Sequence, residues 1–164
     1  KCAESFKNRE DIEVILVDNG STDNSHQVLE DEIEKTGLNT IKIFTVEKNM
    51  GYGFGIKQGL EFASGDILLW THADLQTDLK DIIKAINIFR ESKEKSIIVK
   101  GKRKKRSFID NFFTFSMQIV AWIVLRVYLD DINAQPKLFS REFYNSYLKN
   151  GSPNDFSLDL FMVF

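Results

Sequence analysis

The sequence predicts an α/β fold, a mostly parallel sheet flanked by helices. Two observations carry this. Short runs rich in aliphatic and β-branched residues recur at 12–17 (IEVILV), 40–46 (TIKIFTV), 66–71 (DILLWT) and 96–99. Such continuous apolar runs suit strands buried on both faces. Between them lie segments with helical periodicity, and strict strand–helix alternation implies right-handed crossovers between parallel strands. The carboxyl ends of those strands, where ligands bind in open α/β sheets, then share one edge.

In chain order, residues 1–10 read as the tail of a helix, with Ala3 and Phe6 as packing residues. The first strand ends in Asp18, and Asn19-Gly20-Ser21-Thr22 makes a turn into a helix with apolar positions Val28, Leu29 and Ile33, closing at Gly37. The second strand leads into the glycine-rich Gly51-Tyr52-Gly53-Phe54-Gly55 and a helix to about Ser64. After the third strand, Leu79, Ile82, Ile83, Ile86 and Phe89 form the apolar stripe of a helix over 78–91. A fourth strand precedes a basic run and a strongly apolar stretch at 108–129. Lys137 to Phe139 reads as a short strand, 141–149 as a short helix, and 156–164 as the opening of a further apolar element.

The chain has 164 residues, 43% hydrophobic and 28% charged, with two prolines, which suits one globular domain and excludes a disordered or fibrous chain. The single cysteine, Cys2, excludes an internal disulfide framework and a cysteine-built metal cage. The net charge is −2, yet six of the seven residues from Lys100 to Arg106 are basic, on an otherwise acidic chain. A local basic run points to a local anionic partner, phosphate or membrane headgroup, and against a broad nucleic-acid-binding face.

Several groups of residues can carry chemistry. Asp18, at a buried strand end before a glycine turn and a helix start, is poised to accept hydrogen bonds from a ligand; the alternative is a capped turn. Gly20 stands where a dehalogenase-type phosphatase loop needs its second acid, which argues against that chemistry. The three alternating glycines at 51–55 permit close backbone approach to a ligand, but their spacing does not match a dinucleotide fingerprint. His72, Asp74 and Gln76 fall on one side of an extended segment, and imidazole, carboxylate and amide oxygen together suit a divalent cation that neutralises a diphosphate leaving group. Arg103 and Arg106 can clamp phosphate. The apolar stretch at 108–129 fits an in-plane interfacial helix better than a membrane span. The alternative is a core helix or a homodimer interface.

Together the segments EVILVDNGSTDNS (13–25), Asn49-Met50-Gly51, SGDILLWTHADLQTD (64–78) and GKRKKR (101–106) resemble glycosyltransferase family 2, of the Rossmann-like GT-A fold. Within it they are most similar to the polyprenyl-phosphate sugar transferases. The resemblance covers nearly the whole chain as a single catalytic domain, residues 1–164. The family's first strand, its last strand and any membrane helices are expected outside this piece.

The resemblance implies inverting transfer of a sugar from a UDP- or GDP-linked donor. The expected acceptor is a membrane lipid phosphate. A glycan or lipid hydroxyl, or a non-catalytic nucleotide-sugar-binding module, is the alternative. Asp18, Ser21, Asn49, Gly51 and Asp74 are the expected donor-binding residues. His72, Asp74 and Gln76 are the expected ligands of Mn or Mg, with His72 in place of the family's first metal-motif aspartate. Arg103, Arg106 and Lys137 are the expected phosphate-binding residues. Asp74 is the expected catalytic residue, with Asp159 as base if the acceptor is a hydroxyl, and Asp155 as a second candidate whose other reading is a helix cap. Gln135-Pro136 replaces the family's Gly-Phe. The expected location is the cytoplasmic face of a membrane, peripheral, through residues 101–129.

Overall fold

The computed structural model describes residues 2–74, 76–94, 96–103, 122–123 and 126–164. A short helix, α1 (Cys2–Phe6), precedes β1 (Val14–Asp18), α2 (Ser25–Thr36), β2 (Ile41–Thr45), α3 (Tyr52–Phe62), β3 (Ile67–Trp70), α4 (Leu79–Glu91) and β4 (Val99–Lys100). The alternation read from the sequence is therefore present. Then come β5 (Lys137–Ser140), a helical turn α5 (Arg141–Phe143) continuing as a π-turn (Tyr144–Leu148), and α6 (Leu158–Val163). Residues 104–106 of the basic run and most of the apolar stretch at 108–129 lie outside the described residues. Among those described, no helix is long and apolar enough to cross a membrane.

β1 and β2 pair in parallel, from Val14 opposite Ile41 to Asp18 opposite Thr45. The other group of strands runs β3-β5-β4, with β5 antiparallel to both neighbours. Periodicity marks β5 as a strand but says nothing of its direction; that follows from the path of residues 101–136. The reversal matters for function. It places the start of β5, Lys137, beside Trp70 and Lys100 at the ends of β3 and β4. Gln135 and Lys137 so reach the edge where β3 and β4 terminate.

Successive residues of this group alternate between two cores, as the period of two requires. Leu68, Trp70 and Phe139 pack with Leu60 of α3, Tyr144, Leu148, Leu158 and Met162. Leu138, with Ile67 and Leu69, packs with Phe6 and the α4 stripe Ile82, Ala85, Ile86 and Phe89. Asp78 caps α4 by accepting from Lys80 N at 2.9 Å. Gly37 ends α2 in the left-handed conformation, φ 63°. α2 departs from expectation, since it buries no residue and Val28 is exposed; its apolar side meets too little of the chain to be covered.

Arg141 ties the end of β5 to the end of α3. Its guanidinium donates to the carbonyls of Ala63 (2.6 Å) and Gly65 (2.9 and 3.0 Å), and to that of Leu60 at 3.3 Å. These carbonyls lie at and just past the end of α3, where helical partners run out and a cation is favoured.

Candidate active site

Two loops interlock at the ends of β1 and β2. Asp18 is buried, and its Oδ1 accepts from Ser21 N at 3.0 Å. The Ser21 hydroxyl and N–H hold the Asp18 carboxyl below its usual range, against the effect of burial. Oδ2 faces His26 Nδ1 at 3.6 Å, and that nitrogen is 3.0 Å from Thr45 Oγ1. Gly20 adopts φ 75° against the opposite loop, where a Cβ would stand 2.6 Å from Asn49 N. Asn49 Oδ1 accepts from Gly51 N at 2.9 Å, and Asn19 Nδ2 donates to Gly51 O at 3.1 Å. The expected donor-binding residues Asp18, Ser21, Asn49 and Gly51 thus form one wall. Asn19, not singled out in the sequence, locks its two halves.

The glycines also have a packing role that the sequence reading did not weigh. Their close approach is to the chain itself. A Cβ on Gly51 or Gly53 would meet the backbone of residues 153–155 at 2.5–2.6 Å, one on Gly55 the Asn19 side chain, and one on Gly59 the Val17 side chain. They let α3 sit against β1 and the 153–155 loop.

Past β3 the chain does not stay extended as the sequence reading supposed. Asp74 Oδ1 accepts from Gln76 N at 2.9 Å, which bends the segment, so Gln76 enters through its backbone. His72 Nδ1 and Asp74 Oδ2 lie 3.7 Å apart, both side chains partly exposed. Two ligand atoms each about 2.1 Å from one small divalent ion stand roughly 3–4 Å apart, so this pair fits a cation whose remaining positions come from a ligand. Among the described residues, no cluster of three or more His, Cys, Asp or Glu could hold a metal by itself.

Behind His72 lies a polar chain with no counterpart in the sequence reading. The Tyr52 hydroxyl is 2.7 Å from His72 Nε2 and donates to Asp159 Oδ2 at 3.0 Å. Tyr52 stacks on the exposed Phe156, ring centroids 4.7 Å apart. Asp159, buried at the start of α6, accepts on Oδ1 from Gln135 Nε2 at 3.3 Å and from the fully buried Lys137 in direct contact. Burial and the like charges of Lys100 and Arg103 pull the Lys137 ammonium down from the lysine range. The Asp131 carboxylate opposes them, and Lys137 forms an ion pair with the touching Asp159. Lys137 is therefore committed to Asp159 and lies 5.6 Å from the Trp70 ring centre.

The basic run is partly neutralised. Arg103 donates to Asp131 through N (2.8 Å) and Nε (2.7 Å), and Lys102 pairs with Asp130 at 2.8 Å. Asp130-Asp131 was the unread signal, two acids that meet Lys102 and Arg103. Arg106 lies outside the described residues. Asp155 caps its own loop, accepting from Ser157 N at 2.8 Å and Oγ at 2.5 Å. Asn19 Oδ1, Thr71 Oγ1 and Gln135 Oε1 are among the buried polar atoms without a hydrogen-bond partner in the described chain.

This α/β domain, with its loops gathered at the strand ends, has the GT-A fold. A mannosyltransferase from Pyrobaculum calidifontis, solved in complex with GDP-Man and Mn2+, superposes with a TM-score of 0.61 at 20% identity, over 95% of this chain and 44% of that one. The family model for glycosyl transferase family 2 matches residues 1–149, and the chain belongs to that family. It is 28% identical over 140 residues to a dolichyl-phosphate beta-glucosyltransferase of Dictyostelium discoideum, covering 79% of this chain and 43% of the relative. An undecaprenyl-phosphate 4-deoxy-4-formamido-L-arabinose transferase of Pseudomonas fluorescens is 37% identical over 76 residues, covering 46% and 22%. The chain spans less than half the length of these relatives.

Proposed function

We propose that this domain transfers a sugar, with inversion, from a UDP- or GDP-linked donor to a polyprenyl phosphate. The observation that carries the choice of acceptor is the state of Asp159. Its two oxygens take Tyr52, Gln135 and Lys137 as donors, so it is not placed to take a proton from an attacking hydroxyl. Asp155 is occupied by Ser157. A phosphate monoester needs no such base, because its second pKa of about 6 leaves it ionised at neutral pH. A phosphate oxygen attacks the anomeric carbon as the bond to the nucleoside diphosphate breaks, and the electron pair leaves with the diphosphate. The names of the dolichyl- and undecaprenyl-phosphate relatives support this reading.

In this reading Asp18, Ser21, Asn49 and Gly51 receive the nucleotide, and His72 and Asp74, with Gln76 beside them, hold Mn or Mg. The cation supplies charge neutralisation to the departing diphosphate. Arg103, released from Asp131, and Arg106 bind acceptor phosphate, while Lys137 contributes positive potential from behind Asp159. Residues 101–129 rest on the cytoplasmic membrane face; a core helix or a homodimer interface is the alternative reading of the apolar stretch at 108–129. The test incubates the full-length protein in vesicles with radiolabelled UDP- and GDP-sugars and either polyprenyl phosphate or polyprenol. Label is expected on the phosphate acceptor alone. Transfer to polyprenol, abolished by Asp159→Asn, would replace this reading with the hydroxyl one.

A further inference from the structure

We propose that Tyr52 is a positioning residue: its hydroxyl, donating to Asp159 and accepting from His72, fixes His72 as the Nε2–H tautomer and presents Nδ1 to the cation beside Asp74. The inference follows from counting protons. Asp159 is ionised opposite Lys137 and can only accept. The single phenolic proton of Tyr52 therefore goes to Asp159 Oδ2, at 3.0 Å. What remains on the phenol oxygen is a lone pair, 2.7 Å from His72 Nε2, so Nε2 must carry the ring proton. In the neutral ring Nδ1 is then bare, 3.7 Å from Asp74 Oδ2. A hydrogen bond on the far nitrogen is what orients a ligating histidine. The replacement of an acidic residue by His72 thus comes with a second residue, Tyr52, that sets its tautomer.

The proposal rests on the reading of His72 and Asp74 as cation ligands, and its test needs neither donor sugar nor acceptor. Long-range 1H–15N spectra of the metal-free intact chain, recorded on the neutral ring, are expected to show His72 as Nε2–H. Tyr52→Phe is expected to give a mixture of tautomers and to weaken binding of Mn2+ alone, followed by electron paramagnetic resonance, by about 10- to 100-fold, with the melting temperature little changed. An Nδ1–H tautomer in the unsubstituted protein overturns the proposal, whether or not the variant folds. So does a Tyr52→Phe protein whose tautomer or Mn2+ affinity is unaltered. Failure of sugar transfer with the expected tautomer and metal result would instead count against the proposed reaction.

Discussion

Asp159 and Lys137, on α6 and β5, form a buried ion pair at the centre of the site, with Lys137 fully enclosed and Asp159 nearly so. Removing one partner leaves the other charge buried and uncompensated, which costs about 3–5 kcal/mol. Lys137→Met and Asp159→Asn are each expected to destabilise the domain by that order in urea unfolding. The double variant should lose distinctly less than the two single losses combined. Strict additivity would mean that the pair is not coupled.

Glu13 ties the start of β1 to the end of α3. Its Oε1 accepts from Ser64 N, Ser64 Oγ and Gly65 N at 2.5, 2.8 and 3.0 Å, and Oε2 meets Lys42 Nζ at 3.1 Å. Burial acts to raise its pKa, but the donors from Ser64, Lys42 and Gly65 outweigh it and bring it from 4.5 to about 2. A depressed acid stabilises the fold fully above its unfolded pKa and loses that contribution as pH falls through the folded one. The contribution, roughly 3 kcal/mol, is therefore present at pH 6 and shrinks between 4.5 and 2. In denaturant titrations, the gap between the unsubstituted protein and Glu13→Gln should be wide at pH 6 and narrow steadily below pH 4.5.

Gly53 and Gly37 separate two reasons for glycine. A Cβ on Gly53 would sit 2.6 Å from Pro153 O and 2.9 Å from the Asn154 and Asp155 backbone, which cannot yield as a side chain can. Gly37 has open space around it but φ 63°. Gly53→Ala should cost about 1–3 kcal/mol through overpacking. Gly37→Ala should cost about 1 kcal/mol through conformation alone, and Gly37→Asn less, because asparagine tolerates that region. Thermal unfolding of the three variants gives the ranking; equal losses at 53 and 37 would contradict it.

His72→Ala and Asp74→Ala each remove one of the two facing ligand atoms. Each is expected to weaken Mn2+ binding by tenfold or more and to lower metal-dependent sugar transfer in parallel. Unchanged turnover in both variants would remove the cation from this site. Asp155→Ala, which loses only a loop cap, should leave Mn2+ affinity unaltered.

What the sequence by itself determined is local. Apolar runs and a 3.6-residue stripe depend on neighbouring residues, so the first four strands, the apolar stripe of α4, and the close of α2 at Gly37 were readable. So was the placement of Asp18, His72 and Asp74 at strand ends, and the short motifs at those ends were enough to indicate the family. What only the tertiary structure decided involves partners distant in the chain. Tyr52 meets Asp159 across 107 positions, Arg141 reaches back to Ala63 and Gly65, and Arg103 is claimed by Asp131. No local period encodes such pairings. The antiparallel entry of β5 created most of them at once, since a strand's direction reflects the route of the chain that precedes it. It delivered Gln135 and Lys137 to the edge where β3 ends. There Lys137 met Asp159 and turned a candidate base into the fixed acceptor that orders Tyr52 and His72.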